Sequence, residues 1–284
     1  MSHDISLAVT GYASLDYPVS LSGQIAGDQT TLVDHRNPDA WPRVGGCPAF
    51  MAMAVAGQGF SASPLSWIGV DRDGEHYLKD LLDAGADTSG VARLAGQRSP
   101  ISILVYQQDG SCACLFDPAF TDKETLLAHQ RDLVASASHL CVSVGPPQLM
   151  SEILACRSAS ARLYWVLKND PHCFTPAICQ DLSKAADVIF CSRSERALVA
   201  GIRPETILVE TRGAGGVAVE RGGRVDVLTT TPLEVDDTTG AGDTFAGGFV
   251  AAEMAGETAP LEAARSGANC ARKMLEGRMR RDGS

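Results

Sequence analysis

The strongest limit on how this chain can fold is a rhythm of short apolar runs and amphipathic stretches. The apolar runs lie at 5–10, 65–70, 139–144, 163–167, 187–190 and 206–210; the amphipathic ones lie at 50–56, 76–84, 149–156 and 196–200. Parallel strands need long crossovers, and a sheet covered on both faces reads as continuous apolar runs rather than strict alternation. The rhythm therefore predicts an α/β chain of βαβ units, with a mainly parallel sheet between two helical layers. In such a fold, function belongs at the carboxyl ends of the strands.

Two segments break the rhythm. Residues 14–43 read as polar alternating strands around Gly27-Asp28, and 101–116 as a hairpin around Asp109-Gly110. These β insertions can pair into a small sheet over a cleft or remain separate surface excursions. A further hairpin is expected at 217–228, turning at Gly222-Gly223. The last helices are expected at 245–255, stopped by Gly256, and at 261–274, with 278–284 a basic, frayed end.

With 284 residues, 45% hydrophobic and 20% charged, the chain has the composition of an ordinary soluble domain and needs no staple. A formal charge of -10 argues against nonspecific binding to nucleic acid or anionic membranes, both of which rely on Lys and Arg. No apolar stretch approaches a membrane span, and Met1 to Asp4 lacks a positive leader region. The nine cysteines form no Cys-x-x-Cys pair. An odd, scattered set fits reduced thiols, so a cytoplasmic location is expected.

One segment carries chemistry. Asp237-Thr238-Thr239-Gly240-Ala241-Gly242-Asp243 runs into the apolar helix at 245–255. A glycine turn entering a helix aims unpaired N–H groups at one spot, with the helix dipole behind them. A carboxylate beside an anion pocket is unfavourable for binding alone. It makes sense if Asp243 takes a proton from a hydroxyl while the N–H groups of 240–243 stabilise a moving phosphoryl group.

This segment resembles the Asp-Thr-x-Gly-Ala-Gly-Asp signature of the ribokinase-like, pfkB-type carbohydrate kinases, matching every fixed position. The resemblance implies a three-layer αβα core formed by 1–11, 44–97 and 119–284, with a β lid formed by 12–43 and 98–118 over the substrate. It also implies transfer of the γ-phosphate of ATP, with Mg²⁺, to a hydroxyl of a small sugar. Asp243 would be the base, and the backbone of Gly240, Ala241 and Gly242 the anion hole.

Other positions follow from the same resemblance. Gly45-Gly46-Cys47-Pro48-Ala49-Phe50 looks like the element opening a helix against the sugar, but Phe50 stands where Asn is common and Cys47 where ribokinases tend to carry Lys. Phe50 reads either as a stacking face for a ring or as core. Asp16, after the first strand, would bind substrate hydroxyls. Ser192-Arg193-Ser194-Glu195 resembles the Asn-x-x-Glu motif, with Ser192 on the nucleotide side and Glu195 toward Mg²⁺ through water; Glu195 reads equally as a helix-start residue. Thr211, Gly213 and Gly216 match the nucleotide loop, and Asn269 stands where relatives approach the adenine. Asp237 and Thr239 stand where some relatives hold a monovalent cation, which makes K⁺ a candidate. Lys168, ending a strand, reads as a solvated lysine or as a phosphate contact.

Two alternatives stay open on sequence: a nucleoside as acceptor, and a non-catalytic ligand-binding relative acting as a sensor or partner protein. A lid edge could also pair across a homodimer.

Overall fold

In a computed structural model of the chain, the described residues are 6–36, 41–109, 111–120, 123–235 and 237–282. Ile5 of the first expected strand, residues 37–40 and Gly110 of the expected lid, residues 283–284 of the expected frayed end, and residues 1–4 lie outside them. The first half of the chain runs β1 (Ser6–Thr10), β2 (Ser14–Leu21), β3 (Val33–His35), β4 (Arg43–Gly45), α1 (Cys47–Ala56), β5 (Ser61–Gly69), α2 (Arg72–Asp83), β6 (Val91–Leu94), β7 (Ile101–Tyr106) and β8 (Cys112–Asp117). The second runs α3 (Ala128–Ser136), β9 (His139–Val142), α4 (Met150–Cys156), β10 (Arg162–Val166), α5 (Pro176–Ala185), β11 (Val188–Ser192), β12 (Ile207–Thr211), β13 (Val217–Arg221), β14 (Arg224–Leu228), α6 (Ala241–Met254) and α7 (Pro260–Asp282).

A nine-stranded sheet has the order β14-β13-β12-β11-β10-β9-β1-β5-β6. It is parallel from β12 to β6, with the β13–β14 hairpin added antiparallel at one edge. Alternate residues of each strand feed opposite cores. Leu7, Val9, Tyr164, Val166, Val188 and Phe190 pack on the face covered by α1, α6 and α7. Ala8, Leu163, Trp165, Ile189 and Cys191 pack on the face bearing Val134, Ile153 and Leu182 from α3, α4 and α5. Both faces are dry, which is why these strands read as unbroken apolar runs.

The two β insertions meet in a second, five-stranded sheet. β2 pairs parallel with β7, β7 antiparallel with β8, and β3 and β4 pair with different parts of β2. This small sheet is the lid.

Strand order reverses at β1, which is flanked by β5 on one side and β9 on the other. The crevice at a reversal lies beyond the carboxyl ends of the strands. Residues following β1, β9, β10 and β11 therefore line one crevice.

Two expectations need correction, and two helices were missed. The stretch at 196–200 is a single 3₁₀ turn, Arg196–Leu198, with no buried residue to hold a longer helix. The helices α3 and α5 were not anticipated; α3 buries only Gln130 and Val134, one of them polar. The last helix does not end near 274 but runs to Asp282, because Arg278 is tied back to the crevice, as described below. Among the described residues, no helix is long and apolar enough to cross a membrane.

Candidate active site

The crevice is built around the start of α6. Gly240 takes φ 75°, a left-handed turn that directs the chain into the helix. A side chain at Gly240 would also sit 2.6 Å from the Phe50 ring. The helix has no side-chain cap. The Ala241 N–H donates to the Thr238 carbonyl (3.0 Å) and the Thr244 N–H to the Gly240 carbonyl (2.8 Å). The N–H groups of Gly242 and Asp243, in the first turn, have no backbone acceptor and are the two left over for the expected anion pocket. Ala241, expected to share in that pocket through its N–H, spends it on the turn.

Asp243 is buried in that first turn. Its Oδ1 lies 3.0 Å from Nζ of Lys168, which extends from the end of β10. Lys168 keeps a side chain 40% exposed, as the solvated reading has it, but is also ion-paired. Burial alone would push the Lys168 ammonium down, but the Asp243 carboxylate outweighs it and keeps Lys168 above its ordinary value, charged at neutral pH. Cys47 lies beneath the pair, and burial first and Asp243 second push its thiol well up. It is neutral packing under Asp243. The cation next to Asp243 comes from β10, not from the position after Gly45-Gly46.

Asp16 is 3% exposed on β2. Burial pushes its carboxyl up to about 6, with the Ser14 hydroxyl (3.0 Å) and Arg43 opposing. Arg43 is its register partner on β4. A Cβ on Gly45 would stand 2.1 Å from Asp16 Oδ1, so Gly45 is glycine because the carboxylate lies across its backbone. Gly46, at φ 87°, opens α1.

Phe50 does not offer an open stacking face. It is 7% exposed, pressed against Gly240, with the Arg278 guanidinium 5.7 Å from its ring centre. Its expected contact with substrate is corrected to a wedge between α1 and the anion loop.

The nucleotide-side glycines line a cleft of ≈ 430 Å³ that also takes in Thr211, Ala241 and Gly242. Gly213 and Gly216 have φ 55° and 83°, turning the chain between β12 and β13. On the facing helix α7, the cleft is lined by Ala268, Ala271, Arg272 and Leu275. Asn269 lies instead in a separate pocket with Gln58, Phe60 and Lys273. At 100° per residue the helix turns it away from the nucleotide loop, which corrects the adenine assignment.

Glu195 accepts the Asn169 N–H (3.1 Å) and the Ser192 N–H (2.7 Å), joining the ends of β10 and β11. Each oxygen keeps a second acceptor site. Such a fixed carboxylate beside Lys168 suits a hydrated Mg²⁺, which retains waters and takes few protein ligands. Among the described residues, no group of three His, Cys, Asp or Glu could hold a metal alone. The Ser192 hydroxyl pairs with Ser194 at 2.9 Å.

The Asp237 carboxylate and the hydroxyl and carbonyl oxygens of Thr239 do not fit a metal cation, since protein donors already occupy them. Arg43 pairs with Asp237 Oδ2, Tyr106 from the lid reaches Asp237 Oδ1 and Thr239 Oγ1, and Arg278 donates to the Thr239 carbonyl at 2.6 Å. Burial raises the Asp237 carboxyl, but Arg43 overrides it and holds it at about 2.

Lys168, Arg43, Tyr106 and Arg278 were not assigned to the site from sequence. Lys168 had a signal, since it ends a parallel strand, and Arg43 precedes the glycine pair. Nothing in the sequence pointed to Tyr106 or Arg278.

The profile of the pfkB family carbohydrate kinases matches residues 7–279. The chain is 24% identical over 275 residues to the nucleoside kinase of Methanothermobacter thermautotrophicus, covering 90% of this chain and 85% of that protein. It is 25% identical over 228 residues to the ribokinase of Haemophilus influenzae, 73% of each chain. The structure of Arabidopsis thaliana ribokinase complexed with ribose and ATP matches with a TM-score of 0.79 at 18% identity, covering 96% of this chain and 93% of that one. At that identity the likeness concerns the fold.

Proposed function

Because the chain belongs to the pfkB family of carbohydrate kinases, we propose that it transfers the γ-phosphoryl group of ATP to a hydroxyl, a primary alcohol, of a small sugar. The observation that carries this reading is the Lys168–Asp243 pair, 3.0 Å apart, beside the free N–H groups of Gly242 and Asp243.

In this reading Asp16 accepts hydroxyls of the sugar, held over Gly45, and orients the alcohol toward Asp243. Asp243 takes the alcohol proton as the oxygen forms its bond to the γ-phosphorus and the bond to the ADP oxygen breaks. The N–H groups of Gly242 and Asp243 hold the charge on the transferring group, and Lys168 turns from Asp243 toward it. The loop from Thr211 to Gly216 takes the nucleotide, and Glu195 would hold a hydrated Mg²⁺. The chemistry such an ion would supply there is screening of charge on the donor phosphates. The lid excludes water that would otherwise compete with the alcohol.

The buried Phe50 ring removes the main motive for a nucleoside acceptor. The Lys168–Asp243 pair argues against a non-catalytic relative, which has no use for a positioned base. The test is acceptor-dependent ADP release from ATP and Mg²⁺ across sugars and nucleosides. Turnover with a sugar, lost in Asp243→Asn, supports the proposal. Preference for a nucleoside replaces the acceptor, and nucleotide binding without turnover across the panel overturns the enzyme reading.

A further inference from the structure

We propose that Arg278, together with Arg43, is this chain's own built-in cation at the Asp237 and Thr239 oxygens, so that the protein takes no monovalent metal ion there. Arg278 thereby acts as a positioning residue for the anion loop. The inference deepens the kinase reading, but its first test needs no turnover.

The contacts around Asp237 and Thr239 carry it. Arg278 Nη1 donates to the Thr239 carbonyl at 2.6 Å, one residue before the Gly240 turn. The same group lies 3.7 Å from Asp237 Oδ2, which also pairs with Arg43. Asp237 Oδ1 accepts the Thr239 N–H at 2.9 Å and the Tyr106 hydroxyl. The Arg278 guanidinium faces the Phe50 ring, which itself presses on Gly240. A metal ion entering this place would meet two guanidinium charges and oxygens whose lone pairs are already directed at N–H and O–H donors. Arg278 is 19% exposed. Burial first and Arg43 second bring it down to about 10, which still leaves it charged at neutral pH.

The arrangement has a mechanical result. One side chain of α7 joins the last helix, the Phe50 wedge of α1 and the loop that supplies the anion pocket. A metal ion would supply charge only while bound, whereas a tethered guanidinium supplies it at every salt composition. It also explains why α7 continues past Met274: Arg278 holds its end to the crevice.

The test compares melting temperatures of the whole protein in KCl, NaCl and tetramethylammonium chloride at equal ionic strength. Equal midpoints are expected. A saturable rise in K⁺ or Na⁺ signals cation binding by mass action and overturns the proposal, whatever the acceptor. The second arm uses the acceptor found by the ADP-release assay. Arg278→Ala is expected to lose ~10-fold or more in kcat, as misplacement of a reacting group does, with acceptor KM little changed. Guanidinium ion at millimolar concentration is expected to restore part of the loss, and Arg278→Lys to retain more activity than Arg278→Ala. Should Arg278→Ala melt too early to assay, Arg278→Lys against Arg278→Gln carries the same comparison. Wild-type kcat in a folded Arg278→Ala overturns the positioning role.

Discussion

The Lys168 ammonium lies 3.0 Å from Oδ1 of Asp243, so the proposed base is one half of an ion pair before any substrate arrives. An ion pair at the mouth of an anion pocket can exchange partners. In the proposed reaction, an incoming phosphoryl group would give Lys168 a second anion to turn to and leave Asp243 to the acceptor hydroxyl.

That exchange predicts different behaviour for its two members. Asp243→Asn removes the base and is expected to lower kcat by about 10² to 10⁴, with nucleotide binding retained. Lys168→Met is expected to lower kcat and raise the KM for ATP while leaving the acceptor KM near the wild-type value. Steady-state kinetics with each substrate varied separately checks both. An unchanged kcat in Lys168→Met would remove the lysine from the mechanism.

Asp16 predicts a pH effect. Burial raises its carboxyl to about 6, so it becomes a poor hydroxyl acceptor as pH falls through that value. The kcat/KM for the acceptor is expected to show an acid limb near pH 6. A raised acid favours folding in its protonated form: the contribution is full below the unfolded value of 3.8 and lost as pH rises through about 6. Asp16→Asn should therefore lose acceptor binding yet melt higher than wild type at pH 8, with the gain gone at pH 4. Thermal scans at both pH values decide it, and a lower melting temperature at pH 8 counts against the assignment.

Gly45→Ala tests the seat of that carboxylate. Its Cβ would stand 2.1 Å from Asp16 Oδ1, well inside contact, so Asp16 must move. The acceptor KM is expected to rise by ~10-fold or more, while the KM for ATP stays within about twofold, since one misplaced polar contact is worth roughly 1–3 kcal/mol.

Asn269→Ala is expected to leave the KM for ATP unchanged, because Asn269 lies away from the cleft lined by Gly213, Gly216 and Ala271. Arg272→Ala, on the cleft side of the same helix, is expected to raise it. Fluorescent-nucleotide titration of both variants separates the two faces. A large loss in Asn269→Ala alone would restore the adenine contact.

The fold was legible because its signals are local. An apolar run such as 163–167 reports that both faces of a strand are dry, and the recurrence of such runs between amphipathic stretches reports parallel connections. The helix α3 was less legible, since its buried positions, Gln130 and Val134, include a single apolar residue, whereas α5, which opens on Thr175-Pro176 and buries Cys179 and Leu182, carried a usable local signal.

The sequence by itself determined the parallel α/β architecture, the glycine turn into α6 and the carboxylate in its first turn. In each case the groups concerned are neighbours along the chain, and one turn of helix aims them together without help from elsewhere. Only the tertiary structure decided what stands beside them: Lys168 on Asp243, Arg43 and Arg278 on Asp237, Phe50 under Gly240, and Asn269 on the far side of α7. Those contacts join distant segments through strand register and helix phase. A shift of one residue in either turns a side chain to another face, and no local pattern records that choice.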